Sequence, residues 1–446
     1  MPKSLRLVRY AVCLCAAFLA VLSMPVPAHA GLAIGGDAAT PAYWLRADGD
    51  QPILTPEEIA EANRRIAVQS GGVHDLAAAP EHLSGADVRN RIHAAAQDLA
   101  GEALPELYAG GQTLSAEEWN AVRRNRALDA VGATVDVRYA VAAERADVRL
   151  LPTVTGWFSS PSDTRYDALQ RTVIDPGEAV LVLHTSRDGA FAFVETRDYY
   201  GWVAAHTLAQ TDRKAWEEFA APQEFCTAMA PRVQVSIAED GRIHHSWLYQ
   251  LGAKIPIGSR ADGSRCILLP MRGAGGRLHV QKFPMPGANA VAEGRLPLTH
   301  NNLIRLAFLP LGMEYGWGGA NEGMDCSSYV QNIYRAMGIE LPRDADLQEK
   351  ACTLVPLTGL TREERYRRIA EAPPGALLFR PGHVMLYLGQ DAGGTPLVIH
   401  DISSYYEGGE KQYIRKVVVS HLDFLNARGA AAIDTLDAIG LVVPGR

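Results

Sequence analysis

In the stretch CSSYVQNIYRAMG the apolar residues Tyr329, Val330, Ile333, Tyr334 and Met337 recur at helical spacing, and Gly338 ends the pattern. A short second helix is expected over REERYRRIAEA, opened by Thr361 and Glu364 and stopped by Pro373-Pro374. The runs HVMLYLG, PLVIHDI and RKVVVSHL then read as strands. A helix feeding an antiparallel sheet is an α+β arrangement, expected to occupy residues 296–446.

Upstream the texture differs. Residues 31–140 read as a helical, stabilising domain: Thr55-Pro56-Glu57-Glu58 and Ser115-Ala116-Glu117-Glu118 are capping boxes, and Ser84 opens DVRNRIHAAAQDLA. Residues 141–212 switch to short β-rich runs. AVLVLHTS and AFAFVET are separated by RDG, in which Asp-Gly supplies the turn. Residues 213–290 repeat that texture without clear sequence identity, so two small β-barrels are expected in series. A chain of 446 residues needs several cores, and this pattern divides it into a multidomain protein.

The first 30 residues form a separate class. Lys3, Arg6 and Arg9 precede the apolar run Tyr10 to Met24, and Ala28-x-Ala30 follows, as in a cleaved export signal. The run is short for a membrane span, so no stable membrane insertion is expected after cleavage, and the protein should be periplasmic or secreted. The formal charge is -7, and losing three cations with the signal leaves about -10. That balance argues against nucleic acid as a partner. Four cysteines remain: Cys226, Cys266, Cys326 and Cys352. Cys226 and Cys266 are candidates for a disulfide, with unpaired buried thiols as the alternative.

Candidate chemistry gathers in the last unit. Cys326 opens the apolar-striped helix, where free backbone N–H groups favour an anion, so its thiol is expected to have a lowered pKa. A cysteine nucleophile needs a base and a group that orients the base. His383 opens HVMLYLG, and His400 ends PLVIH. The turn GQDAGG joins the two runs into a hairpin that would set both rings at one rim of the sheet. Singly, such a cysteine is more often structural and such histidines are more often packing residues. Jointly, they favour a nucleophile and its base. No HExxH or paired CxxC marks a metal site, and no GxSxG marks a serine hydrolase; neither metal nor cofactor is expected.

The ordered set YGWGG, DCSS, LPRDADLQ, PPGALLF, GHVMLYLG and VIHDI resembles the NlpC/p60 family of papain-like cysteine peptidases across residues 300–405. The segment GEAVLVLHTSRDGAFAFVETRDYYGWV is similar to the bacterial SH3 domains that precede such catalytic domains, so the two β units would be SH3-like. The resemblance implies hydrolysis of the γ-D-glutamyl to diamino-acid bond of peptidoglycan stem peptides; a monomer is expected. Cys326 would be the nucleophile, His383 the base, His400 its orienter, and Tyr315 a donor to the oxyanion. Asp344 of the PRD motif would meet the free L-Ala ammonium together with Tyr199, preferred here to Tyr200; a turn or cap is its plainer reading. Asp325 and Ser327 would orient the γ-glutamyl carboxylate or the loop, with helix capping by Asp325 the equal alternative. An amidase or acyltransferase with the same Cys-His core, and a wall-binding protein without activity, are the rival readings.

Overall fold

The computed structural model describes residues 10–11, 32–240 and 242–443. The export segment expected at residues 1–30 therefore lies outside the described residues, apart from Tyr10–Ala11. Among the described residues no helix is long and apolar enough to cross a membrane.

Three sheets organise the chain. A seven-stranded antiparallel sheet is built from residues 138–211. Its hairpin pairs Ala179–Thr185 with Phe191–Glu195, and Gly189 turns it at φ 71°. β-branched and aromatic residues bury Leu181, Phe193 and Trp202 inside. The strand Arg138–Ala142 belongs to this sheet, so a boundary at residue 140 cuts through a strand. A five-stranded sheet follows between residues 225 and 293, flanked by the long hairpin Arg232–Glu239 with Arg242–Gln250. Its core is separate, around Trp247, Tyr249 and Phe283.

The last sheet has six strands, in the order Thr353–Pro356, Ala438–Leu441, Leu377–Arg380, His383–Gln390, Pro396–Glu407 and Glu410–Ser420. The helix Cys326–Ala336 packs on one face through Tyr329, Val330 and Ile333. The segment Glu349 to Ala372 supplies an edge strand and the expected helix, Arg362–Ala370, with its capping box at Thr361.

The N-terminal helices are real but do not share a core. Pro56–Ser70 has its capping box and buries Ile59, Ala62 and Ile66 in the core of the Cys326 helix. Gly85–Ala96 places Val88 and Ile92 on the seven-stranded sheet. Ala116–Asn125 sends Trp119 against Trp157. Each helix is only three or four turns long and needs a neighbour's apolar surface to persist. The segment clamps the other units together, and Ala96, Leu114 and Trp119 gather locally against Leu150, Leu151 and Trp157.

Candidate active site

Cys326 occupies the first turn of its helix because Asp325 caps it. The Ser328 amide donates to Asp325 Oδ1 at 3.0 Å, and the Asp325 amide donates to Ser328 Oγ at 2.9 Å. Asp325 also receives Gly318 N–H at 3.0 Å and both Arg343 Nη atoms, at 2.9 and 2.6 Å. Burial alone would raise its pKa, but the Arg343 charge and these hydrogen bonds hold it below the usual carboxylate range. The Ser328 contacts are the capping arrangement, Gly318 belongs to the loop before it, and Arg343 reaches Asp325 from beyond the helix. Ser327 is buried beside it, donating to Asp325 Oδ1 at 3.3 Å and accepting from Arg343 at 2.9 Å.

The glycines of YGWGG acquire their reason here. Gly318 and Gly319 have φ of 57° and 82°. A Cβ on Gly318 would lie 2.8 Å from Gln170, and one on Gly319 would lie 2.7 Å from Val173. The loop before Cys326 thus presses on the strand Gln170–Ile174 of the seven-stranded sheet. Gln170 and Arg145 fasten it by donating to the carbonyls of Gly318 and Gly319 at 3.1 and 2.7 Å. Behind the helix, Arg335 pairs with Asp175 at 2.6 Å and Glu178 at 3.2 Å, across the same interface.

The two histidines are joined. His383 Nε2 and His400 Nδ1 are 2.7 Å apart, His400 Nε2 lies 3.0 Å from Ser420 Oγ, and Ser420 Oγ donates to the His421 carbonyl at 2.9 Å. One assignment of ring protons satisfies all three contacts. Ser420 spends its hydrogen on the carbonyl, so it accepts from His400 Nε2–H. His400 Nδ1 then accepts from His383 Nε2–H, and His383 Nδ1 is left as the free acceptor. His400 does not end its strand; that strand runs on to Glu407 because Glu410–Ser420 pairs along its length. The register places the two rings diagonally across the ladder, within reach for imidazoles.

The electrostatics correct one expectation. The Cys326 thiol is pushed up to about 12, first by burial and then by the Asp325 anion, against the Val384 amide and the Arg343 charge. The cap that opens the helix also places a negative charge next to the sulfur, and this offsets the helix terminus. His383 is lowered to about 3 by burial and by the nearby Arg380 cation. The resting pair is therefore a neutral thiol and a neutral imidazole. Burial also raises Tyr315, which stays a hydroxyl donor in the cavity shared with Cys326 and His383. Asp401, buried beside His400, is raised well above the usual carboxylate range by burial and by the Asp325 charge.

On the other side of Cys326 a cavity of about 410 Å³ contains Asp344. Asp344 begins the helix Ala345–Ala351, yet its side chain makes no capping bond. The Tyr199 hydroxyl donates to Asp344 Oδ2, and Arg171 stands 3.7 Å away. Tyr200 points elsewhere, donating to Glu195 at 2.8 Å. Trp202 is fully buried in the sheet's core. Tyr199 and Asp344 are 145 positions apart and meet only through the docking of two domains.

Ser420, Arg343, Arg171 and Arg380 were missed in the sequence. Arg343 lay inside the quoted PRD motif; Ser420 ended a recognised strand with nothing to mark it. Cys226, Cys266, Cys326 and Cys352 are all free and buried, so the considered Cys226–Cys266 bridge is not formed. Among the described residues no group of three or more His, Cys, Asp or Glu is placed to hold a metal.

Residues 312–421 match the NlpC/P60 family, and residues 157–204 match an SH3 domain of the SH3b1 type. A gamma-D-glutamyl-L-lysine dipeptidyl-peptidase of Bacillus subtilis (strain 168) is 34% identical over 103 residues, 23% of this chain and 33% of that protein. Dipeptidyl-peptidase 6 of Lysinibacillus sphaericus is 34% identical over 90 residues, 20% of this chain and 29% of that protein. The match thus spans about a third of the length of these relatives. An NlpC/P60 endopeptidase from Photobacterium damselae subsp. piscicida shares the fold, with a TM-score of 0.74 at 15% identity, covering 92% of this chain and 98% of that one. Placed on the geometry above, these matches make the chain a multidomain protein with a catalytic-type domain of the NlpC/P60 cysteine peptidase family and an SH3 domain of the SH3b1 type.

Proposed function

We propose that this chain is an exported cysteine endopeptidase that cleaves the γ-D-glutamyl to diamino-acid amide bond of peptidoglycan stem peptides carrying a free N-terminal L-Ala. The observation that carries the reading is the proton relay from Ser420 through His400 to His383. It leaves Nδ1 of His383 as the free base in the cavity that also contains Cys326. The names of the two relatives, a dipeptidyl-peptidase acting on γ-D-glutamyl-L-lysine and a second dipeptidyl-peptidase, support the substrate class. Export rests on the signal-like residues 1–30, and action outside the cytoplasm agrees with a wall-derived substrate.

The chemistry begins from the neutral pair. Substrate binding expels water, and Cys326 passes its proton to His383 Nδ1 as sulfur bonds to the carbonyl carbon. The imidazolium is held by His400 Nδ1, which accepts from Nε2–H. The Tyr315 hydroxyl and the Cys326 amide at the helix start stabilise the oxyanion. As the C–N bond breaks, Nδ1–H protonates the departing amine. Water then attacks the acyl-enzyme, giving its proton to Nδ1, and the thiol is restored.

Direction is set at Asp344. Its carboxylate makes no cap and meets the Tyr199 hydroxyl, so it is available to a substrate ammonium. The SH3 domain contributes Tyr199 and blocks that end of the groove, which limits the acyl part to a dipeptide. The test is cleavage of L-Ala-γ-D-Glu-L-Lys by the wild type and by Cys326→Ala, with products identified by mass spectrometry. The wild type should release L-Ala-D-Glu, and the variant should lose at least about a thousand-fold in kcat at unchanged melting temperature. Turnover by Cys326→Ala within tenfold of wild type removes the cysteine from the mechanism.

A further inference from the structure

The cavity on the His383 side of Cys326 is larger, about 1000 Å³, and it is lined by cations and aromatic rings: Arg380, Lys411, Arg415, Tyr166, Tyr413 and Phe424. Two of the cations are already engaged or cushioned. Arg415 pairs with Asp163 at 3.1 Å, donates to the Tyr166 hydroxyl at 3.3 Å and lies 4.2 Å over the Tyr413 ring. Lys411 rests over the same ring at 4.8 Å.

Arg380 differs. Its Nε and Nη1 are buried and have no hydrogen-bond partner; the Asp437 charge reaches it from the Asp344 cavity, which Arg380 also borders. Its guanidinium lies 5.6 Å over Phe424, whose other neighbour is His400 at 5.5 Å. The Arg380 backbone is the direct cross-strand partner of His383. A desolvated guanidinium with two unsatisfied donors is expensive to keep, unless something with paired acceptor oxygens comes to it. A planar fork held over an aromatic ring is pre-set for a carboxylate, taken bidentately.

We infer that Arg380 anchors a carboxylate on the residue released from the scissile amide, so that the leaving side of this site reads negative charge. The inference rests on the peptidase reading, because Asp344 fixes which side of Cys326 holds the substrate's amine. The leaving residue, by elimination, sits beside His383, which protonates its nitrogen. Two carboxylates can answer: the main-chain carboxylate of a terminal diamino acid, or the side-chain carboxylate that diaminopimelate has and lysine lacks. The same contact would quench the positive charge that now disfavours a protonated His383. Binding the correct leaving residue would therefore also strengthen the base.

Three substrates separate the possibilities in the wild-type chain: L-Ala-γ-D-Glu-L-Lys with a free carboxyl, its C-terminal amide, and the diaminopimelate peptide amidated only at the main-chain carboxyl. If the main-chain carboxylate is the one read, the free acid should exceed the amide by about 10- to 100-fold in kcat/KM and the amidated diaminopimelate peptide should be no better than the amide. If the side-chain carboxylate is the one read, the two lysine peptides should be equal and the amidated diaminopimelate peptide should exceed both by a similar factor. Arg380→Gln should bring all three together, and Arg380→Lys should restore part of the spread as a point charge without the fork. A wild-type enzyme that cleaves all three equally overturns the inference and leaves the peptidase reading standing. Failure to cleave any of them overturns both. A fourth peptide, with the α-carboxyl of D-Glu amidated, covers the acyl side; if the Arg380→Gln loss follows that group instead, the leaving-side assignment is wrong. Because the first comparison needs only wild-type protein, a variant that fails to fold does not spoil the test.

Discussion

Two cavities meet at Cys326, and they differ in charge, size and origin. The smaller is bordered by Asp344, Asp346, Glu349 and Asp437 from the catalytic unit, by Arg171 from the SH3 side and Gln97 from the N-terminal clamp, and by Arg343 and Arg380, the last of which it shares with the larger cavity. The larger draws on Arg380, Lys411 and Arg415, and is walled by the loop around Tyr166 and by Phe424. The first side is richer in carboxylates and the second in cations, with Arg380 between them. On the proposed reading, a peptide with an amine at one end and acids at the other would lie across the sulfur in one preferred direction. The comparison teaches that orientation here is electrostatic, and that three separate parts of the chain had to be assembled to create the gradient.

The largest effect expected at the acidic end comes from its carboxylate. Acetylating the L-Ala amine should cost the wild type about 10- to 100-fold in kcat/KM, and Asp344→Asn should lose a similar factor on the free peptide while erasing the difference between the two. Steady-state rates on the paired substrates measure this, and equal wild-type rates on free and acetylated peptide would break the comparison at that end. Arg171, 3.7 Å from Asp344, already competes for the carboxylate, so the factor should grow as salt is lowered.

The point where the cavities meet gives the next effect. With the Cys326 thiol near 12 and His383 near 3, the neutral pair persists between those pH values. Alkylation of Cys326 by iodoacetamide in the free enzyme should therefore accelerate about tenfold per pH unit from pH 6 to 9, as the thiolate fraction grows. A rate that is flat across that range would reveal a standing thiolate–imidazolium pair and refute the neutral ground state. The smallest effect belongs to neither side. Ser420→Ala removes the acceptor that fixes the His400 tautomer, and should lower kcat about five- to tenfold with KM unchanged on every peptide. A loss that appeared in KM, or on only one class of substrate, would show that Ser420 serves a binding side and does not position the relay.

Legibility in the sequence followed the range of the interactions. The helix beginning at Cys326, the capping boxes at Thr55 and Ser115, and the hairpin carrying His383 and His400 depend on residues a few positions apart, and such patterns can be read directly. The thiol's acidity was misjudged because helix position is local, whereas burial, the largest cause of its shift, is not; the neighbouring Asp325 charge adds to it. The 31–140 segment looked like a domain because its helices are individually well formed. Which core each helix joins depends on surfaces supplied by other parts of the chain, for the helix Pro56–Ser70 by residues more than two hundred positions away. Arg380 stands between the motifs PPGALLF and GHVMLYLG, three residues before His383, but that its Nε and Nη1 have no partner is a property of the folded surroundings.

By itself, then, the sequence determined which residues would be chemically competent: a cysteine at a helix start, two imidazoles on adjoining strands, and an aspartate behind a proline and an arginine. Their consequences were decided by tertiary structure. Docking of the strand Gln170–Ile174 against Gly318 and Gly319 seats the loop before Cys326, and it brings Tyr199 to Asp344. Assembly of the six-stranded sheet sets Ser420 behind His400 and Arg380 beside His383. The physical reason is that bonding patterns within a turn or a hairpin are encoded by near neighbours, whereas desolvation and long-range charge depend on everything that packs around a group.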